Sequence, residues 1–264
     1  MSENNKRRRK KKKKKNRKLL VSAAAFITAA ATVVFCFYYI YFKTDFFDLV
    51  SVTIGGNIIY DNEYIMEKSG IELGKKLFSI NRTKVKENLE NEVYIKGVRV
   101  VYELPDKLNL EIIERVEKYQ IPFNNEYIFI DNEGIVLRKG IEKLDLLTIE
   151  SIAHVVYNIG DSIQFEGIES NESIFSAIEY LNREFGSDAI KRLIISNNNS
   201  LYFETEYGTM VKINLSEDVN YQIVFAMKII NERLNNNLTV VSGLIDFTKG
   251  DSPVYMEDFK LEDF

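Results

Sequence analysis

Among 264 residues there is one histidine, His154, and one cysteine, Cys36. Nucleophilic and metal-assisted chemistry near neutral pH leans on these two side chains, so their scarcity bounds what the chain can do. His154 stands between Ala153 and the pair Val155-Val156, the setting of a packed structural imidazole. Cys36 falls inside a long uncharged stretch, so the remainder of the chain can build neither a Cys–His pair nor a His/Cys ligand set. A Gly-x-Ser-x-Gly elbow, a P-loop and a Gly-x-Gly-x-x-Gly turn are all missing. Carboxylates are plentiful, 38 of them beyond residue 42. A glycosidase-type acid pair can therefore be drawn almost anywhere by chance, and carries no information. The expectation is a chain that is not an enzyme and holds no cofactor and no metal.

What the chain does carry is an anchor. Twelve of the thirteen positions from Lys6 to Lys18 are Lys or Arg, beginning Lys6, Arg7, Arg8, Arg9. Directly after them, Leu19 to Phe42 gives 24 residues without a charge. A helix of that length reaches roughly 36 Å, enough to cross a hydrocarbon core of about 30 Å once. Lys and Arg are retained on the cytoplasmic side, which places the N-terminus inside and the following 222 residues outside. A cleaved signal is the rival reading, but its apolar region is shorter and ends in small residues. Here the small residues come early, and the end is aromatic: Phe35, Phe37, Tyr38, Tyr39, Tyr41, Phe42. That is the belt expected at a membrane–water interface. The basic run orients the helix and sits on anionic headgroups; with no aromatic residues interleaved, it is not read as a nucleic-acid site. Ala25 and Ala29 form a small-xxx-small pair, a weak sign of helix association.

Charge is partitioned: residues 1–18 carry a net +11, and the part beyond residue 42 a net −15. The outer part has no cysteine, so packing alone must stabilise it. Its first portion alternates in the pattern of a half-buried strand through Val50, Val52 and Ile54. Two short helices follow, the first capped by Asp61 and stopped by Gly70, the second capped by Asn81 with Val85 and Leu89 on one face. The period then returns to two: Val98, Val100 and Tyr102 share one face, and Leu108, Leu110 and Ile112 another, around a turn at Leu104-Pro105-Asp106-Lys107. The order is β-α-α-β-β. A second portion opens with a hairpin from Tyr127 to Arg138, its turn at Asp131–Gly134. A helix opened by Ser170 or Asn171 follows, with apolar positions Ile174, Ala177, Ile178, Leu181 and Phe185. Next come strands near Ile190–Ser196, Leu201–Glu206 and Thr209–Asn214, then a helix capped by Ser216 with the stripe Ile223, Met227, Ile230, Leu234. A last pair runs Gly243–Thr248 and Pro253–Met256.

The segments Val50-Ser-Val-Thr-Ile-Gly-Gly-Asn57, Gly74-Lys-Lys-Leu-Phe-Ser-Ile80 and Ile95-Lys-Gly-Val-Arg-Val-Val-Tyr-Glu-Leu-Pro-Asp-Lys-Leu-Asn-Leu-Glu-Ile-Ile-Glu-Arg115 resemble the POTRA domain of the DivIB/FtsQ family. The resemblance covers essentially the whole chain in order. It implies an α+β protein with a cytoplasmic polybasic tail (1–18), a single transmembrane helix (19–42), a small POTRA domain (46–115), a mixed or antiparallel β domain with two helices (116–256) and an acidic tail (257–264). It also implies a bacterial division scaffold, held in the cell membrane at the septum, that gathers FtsL-like and FtsB/DivIC-like single-span proteins and the septal wall synthase. A signal-anchored envelope hydrolase and a translocation component are the competing readings.

Pro253 lies in a stretch that otherwise reads as strand, and proline is tolerated only at an edge or a strand's first residue. An edge near the C-terminus leaves backbone groups to pair with another chain, the mode the resemblance also implies for this region. The expected contact residues are Lys249, Val254, Tyr255 and Met256, with Phe247 in support. The opposing expectation, equally weighted, is that Val254 and Met256 are core and Tyr255 merely solvated.

Overall fold

The computed structural model describes residues 3–186, 190–250 and 252–259, with side chains from residue 21 onward. Helix α1 (Glu3–Lys43) contains an uninterrupted apolar span, Val21–Lys43. Its two threonine hydroxyls are satisfied within the helix, Thr28 donating to the Ala25 carbonyl and Thr32 to that of Thr28, both at 2.9 Å. A segment surrounded by lipid needs this, since no water is available there. Lys6, Arg7, Arg8, Arg9 and Lys18 fall on this helix, and their side chains lie outside the described residues.

The chain divides into two compact units, residues 1–91 with 97–113, and residues 92–96 with 114–264. In the first, β1 (Ser51–Gly55), α2 (Asn62–Ser69), a 3-10 turn (Leu77–Ser79), α3 (Arg82–Glu90), β2 (Ile95–Glu103) and β3 (Lys107–Glu114) follow in order. The sheet runs β1-β3-β2, with β1 parallel to β3 from Ser51↔Lys107 to Gly55↔Glu111. The caps are those the sequence predicts: Asp61 accepts from the Tyr64 N–H at 2.8 Å, Gly70 closes α2 in the left-handed region, and Asn81 accepts from Thr83 and Lys84. Ile65, Leu77, Leu89, Leu108 and Leu110 are fully buried between helices and sheet. The Leu104–Pro105 peptide in the β2–β3 turn is cis.

The second unit is built on one nine-stranded sheet. Its strands are β4 (Tyr119–Phe123), β5 (Glu126–Ile130), β6 (Val136–Gly140), β7 (Leu147–Ser151), β10 (Ile190–Ser196), β11 (Ser200–Thr205), β12 (Met210–Asn214), β13 (Leu244–Asp246) and β14 (Val254–Met256). A two-stranded ribbon, β8 (Val155–Val156) with β9 (Gln164–Phe165), lies apart. The order across the sheet is β14-β13-β12-β11-β10-β7-β4-β5-β6. Helices α4 (Asn171–Phe185) and α5 (Val219–Asn235) bury Ile174, Ile178, Ile223 and Ile230 in one core with Ile149, Ile195, Phe203, Val211 and Ile245. Because strand side chains alternate, Ile194, Tyr202, Met210 and Leu244 form a smaller cluster on the opposite face.

Three details depart from the sequence reading. Strands β4, β7, β8 and β9 are additional, and Pro122 explains why β4 is hard to see. Its hairpin turns on Asn124 and Asn125, both at positive φ, which makes Phe123 and Glu126 the hydrogen-bonded pair. The Pro122 nitrogen therefore faces away from β5, on the side where pairing with β7 has already stopped at Gln120. The second departure is the cap of α5. Asp218, not Ser216, accepts from the Tyr221 N–H at 3.0 Å, so the helix starts later than expected. Third, the α5 stripe is rotated: Gln222, Ile223, Ala226 and Ile230 are buried, while Leu234 is exposed.

The β5–β6 turn rests on one carboxylate. Asp131 is buried, accepts from the Glu133 and Ile135 N–H groups at 2.8 and 2.9 Å, and pairs with Arg115. Arg115 and Lys96 both reach Glu133, at 3.0 and 2.9 Å. Removing the Asp131 carboxylate orphans two amides and leaves the half-buried Arg115 guanidinium with Glu133 alone. Asp131→Ala is expected to cost about 2–4 kcal/mol in urea unfolding. The hydrogen bond from Lys96, then that from Arg115, holds Glu133 below the usual carboxylate range. Its stabilisation is thus fully present above the unfolded glutamate value of about 4.3 and is lost as pH falls through the lower folded value. Because Glu133 is half exposed the effect is small. Glu133→Gln should flatten the acid limb of the urea-midpoint profile.

Candidate functional site

The sheet ends where the chain ends. Strand β13 joins β12 in parallel, Met210↔Leu244 to Lys212↔Asp246, and β14 then returns antiparallel, Leu244↔Met256 to Asp246↔Val254. No strand pairs with the outer side of β14 among the described residues. Among the described residues β14 is thus an edge strand of the sheet.

Local chemistry builds this hairpin. Asp246 is buried, and one of its oxygens accepts from both the Thr248 N–H and the Thr248 hydroxyl, at 2.8 and 2.7 Å. This turns the chain out of β13. Gly250, at φ 110°, lies in the loop, and Pro253 stands immediately before β14. Proline is acceptable there because no ladder bond is asked of it.

The five residues expected at a contact surface divide by burial. Val254 is 40% exposed and its side chain shares a face with Asp246 and Met256. Lys249 is exposed, its Nζ 3.9 Å from a carboxylate oxygen of Asp246. Tyr255 and Met256 are half-buried. Phe247 is only 6% exposed and packs edge-to-face on Phe225 at 6.4 Å, so its ring belongs to the core and supports the loop from within.

Tyr255 is gripped. The Arg233 guanidinium lies 3.7 Å from its ring centroid, and its hydroxyl donates to the Thr239 carbonyl at 3.2 Å. Arg233 also bonds the Thr239 carbonyl at 3.0 Å and Glu257 at 2.7 Å. The ring covers Gly243, where a Cβ would run into the tyrosine hydroxyl. Met256 packs with Phe259 on the small cluster around Leu244, and the Phe259 N–H donates to the Ser242 carbonyl at 2.7 Å. Arg233, Thr239, Gly243 and Phe259 are positioning residues that sequence reasoning missed. Arg233 is 22 residues from Tyr255, on a helix, and no spacing rule connects them. The expected tail 257–264 is described only to Phe259; residues 260–264 lie outside the described residues.

Among the described residues no group of three or more His, Cys, Asp or Glu side chains could hold a metal ion. The POTRA-domain model of the FtsQ type matches residues 47–115. Over 194 residues the chain is 26% identical to cell division protein DivIB of Clostridium tetani, covering 73% of each protein. It is 25% identical over 217 residues to DivIB of Clostridium acetobutylicum, covering 81% of this chain and 84% of the relative. Residues 47–115 thus form a POTRA domain of the FtsQ type, and most of the chain is similar to DivIB proteins. Cell division protein FtsQ of Rickettsia bellii is also similar, 31% identical over 96 residues, 36% of each chain. The DivIB likeness extends far beyond the POTRA domain and so takes in much of the nine-stranded unit as well.

The grip on Tyr255 and the exposure of Val254 give the two residues different parts in the stability of this edge. Tyr255→Ala should cost about 1–3 kcal/mol in urea unfolding, because it strips Arg233 of its ring and uncovers Gly243. Val254→Ala should stay within about 0.5 kcal/mol.

Proposed function

We propose that this chain is a non-enzymatic, single-span scaffold of the bacterial division machinery that captures partner proteins by strand addition along β14. The observation that carries the reading is the open outer side of β14, held in place by Asp246 below and Arg233 above. Strand addition takes affinity from main-chain bonds and specificity from alternate side chains, here Val254 and Met256 on one face and Tyr255 on the other. The partners suited to it are FtsL-like and FtsB/DivIC-like single-span proteins, and through them the septal wall synthase.

The polybasic run at residues 6–18 favours a cytoplasmic N-terminus, with the acidic bulk of the chain on the outer side of the membrane; the likeness to division proteins favours concentration at the septum. The working division is a tail (1–18), a transmembrane helix (19–42), a POTRA domain (46–115), a β domain (116–256) and an acidic tail (257–264). A shared membrane raises the effective concentration of partners that carry their own single span, so a short edge strand suffices.

The test is capture of the outer domains of coiled-coil division partners by the full chain in nanodiscs. Val254→Lys puts a charge on the edge, and Tyr255→Glu removes the gripped ring. Each is expected to weaken capture by about tenfold or more, which corresponds to about 1.4 kcal/mol. Unchanged capture by both variants, with thermal unfolding of Val254→Lys intact, would remove β14 from the proposal.

A further inference from the structure

We infer that one end of the POTRA unit is seated in the membrane interface itself, with the lipid headgroup layer at the C-terminal end of α1 as its occupant. A run of aromatic rings starts on the span and finishes on the domain. Only seven residues separate Lys43 from Ser51. Within them Phe47 turns back along the helix, its ring 6.2 Å from Phe37 and 6.1 Å from Tyr41. Phe78, on the 3-10 turn of the POTRA unit, lies 6.1 Å from Tyr41 and 5.4 Å from Phe47. Tyr102 continues the run 5.7 Å from Phe78.

Depth follows from helix geometry. Tyr41 is about 3 Å and Phe37 about 9 Å along the axis from Lys43. The span of 23 residues is about 34 Å long, only slightly more than a hydrocarbon core of about 30 Å. With about 2 Å of overhang at each end, Tyr41 sits at the boundary between hydrocarbon and headgroups and Phe37 several ångströms inside it. Any ring that touches both, as Phe47 does, is at that depth, and Phe78 is beside it.

The exposed side chains at this end suit such a place. Phe46 is 57% exposed, Phe78 43% and Leu104 65%. Leu104 belongs to the β2–β3 turn, which the Val50 N–H ties in place by donating to the Asp106 carbonyl at 2.8 Å. Aromatic and leucine side chains are stabilised in the interface, where a water-exposed position would cost them. Two cations lie against this stack: Lys76 pairs with Asp48 and donates to the Thr44 carbonyl at 2.8 Å, and the Arg82 guanidinium lies 4.8 Å from the Tyr102 ring centroid. Charges of both signs flank these residues along the chain, Lys43, Asp45, Lys75 and Asp106 among them. The attraction is thus apolar insertion, and anionic lipid is not required for it.

The chain contains no tryptophan, so a single introduced one reports its own depth. The full chain carrying Phe78→Trp, Leu104→Trp or, as reference, Ile58→Trp is placed in phosphatidylcholine nanodiscs. The lipids are brominated on the acyl chain near the headgroup, or left unbrominated. Ile58 is almost wholly exposed and lies just beyond the far end of β1. Tryptophan at 78 and at 104 should be quenched by bromolipid several times more than at 58. Leu104 is exposed and lies outside the stack, so the position-104 variant keeps the test valid if Phe78→Trp disturbs the stack. Quenching at 78 and 104 no greater than at 58 overturns the inference, as does shielding that appears only when a partner protein is added. The inference rests on α1 crossing the membrane and not on β14, so failure of capture and failure of quenching are separate results.

Discussion

β7 is five residues long, and both halves of the nine-stranded sheet hang on it. It pairs in parallel on either side, with β4 through Tyr119↔Leu147 and Gln120↔Thr148, and with β10 through Leu193↔Ile149 to Ile195↔Ser151. Parallel pairs need long crossovers, and a slip of one residue would turn every side chain to the wrong face. Polar clamps prevent the slip. The buried Gln120 amide donates to the Leu144 and Leu146 carbonyls at 2.8 and 2.9 Å and accepts from the Leu144 N–H at 3.0 Å. On the other side Arg192 grips Glu150 with two bonds, at 2.7 and 2.6 Å. Such a forked pair adds geometry more than energy. With register set at β7, Ile149, Ile195 and Phe203 all meet α4 and α5, and a single core results.

One continuous sheet has two edges, and the two are treated differently. At β6 the edge carries Arg138 and Lys139, the first tied to Glu117 and Glu142 and the second to Glu126, so charged side chains discourage pairing there. At β14 the strand is three residues long and its most exposed side chain is a valine. A strand this short adds few ladder bonds of its own. Its position is held instead by side chains and one backbone bond: Asp246 sets the turn before it, Arg233 holds Tyr255 and Glu257, and the Phe259 N–H ties down the segment beyond Met256. Anchoring of this kind holds β14 in place with no further strand beside it among the described residues. An edge secured by a further strand would have nothing left to offer.

Much of this was readable before any coordinates. Short-range rules carried the first unit almost completely, because Asp61, Gly70 and Asn81 act within three or four residues of themselves. The apolar span, the β5–β6 hairpin, α4 and β10–β12 followed from period and turn chemistry. Failures occurred where a distant partner decides. β4 contains Pro122, which only the local end of pairing with β7 makes harmless. β7 has a single buried residue, Ile149, so it shows no alternation to detect. At α5, Ser216 and Asp218 are both acceptable caps, and the choice falls to Asp218 because the Gln222 side chain binds both backbone groups of Asn214 and holds the preceding turn. At the edge, Pro253 flagged the right strand, whereas Arg233 and Gly243 could be found only from the fold.

The same contrast between anchored and available surfaces runs through both units, each in its own way. In the second unit a short strand is fixed from one side so that the other side stays open. In the first, rings from the span, the linker and the domain stack into one column, Phe37 to Phe47 to Phe78 to Tyr102. Each such ring pair is worth about 0.5–1.5 kcal/mol beyond its buried area, so the column stiffens a linker that seven residues would otherwise leave loose. A stiff linker has a consequence for binding. A flexible tether spreads its domain over all the volume it can reach, and effective concentration falls steeply with tether length. Under the proposed function, fixing the POTRA unit to the end of its own helix removes that dilution for partners that carry single spans of their own.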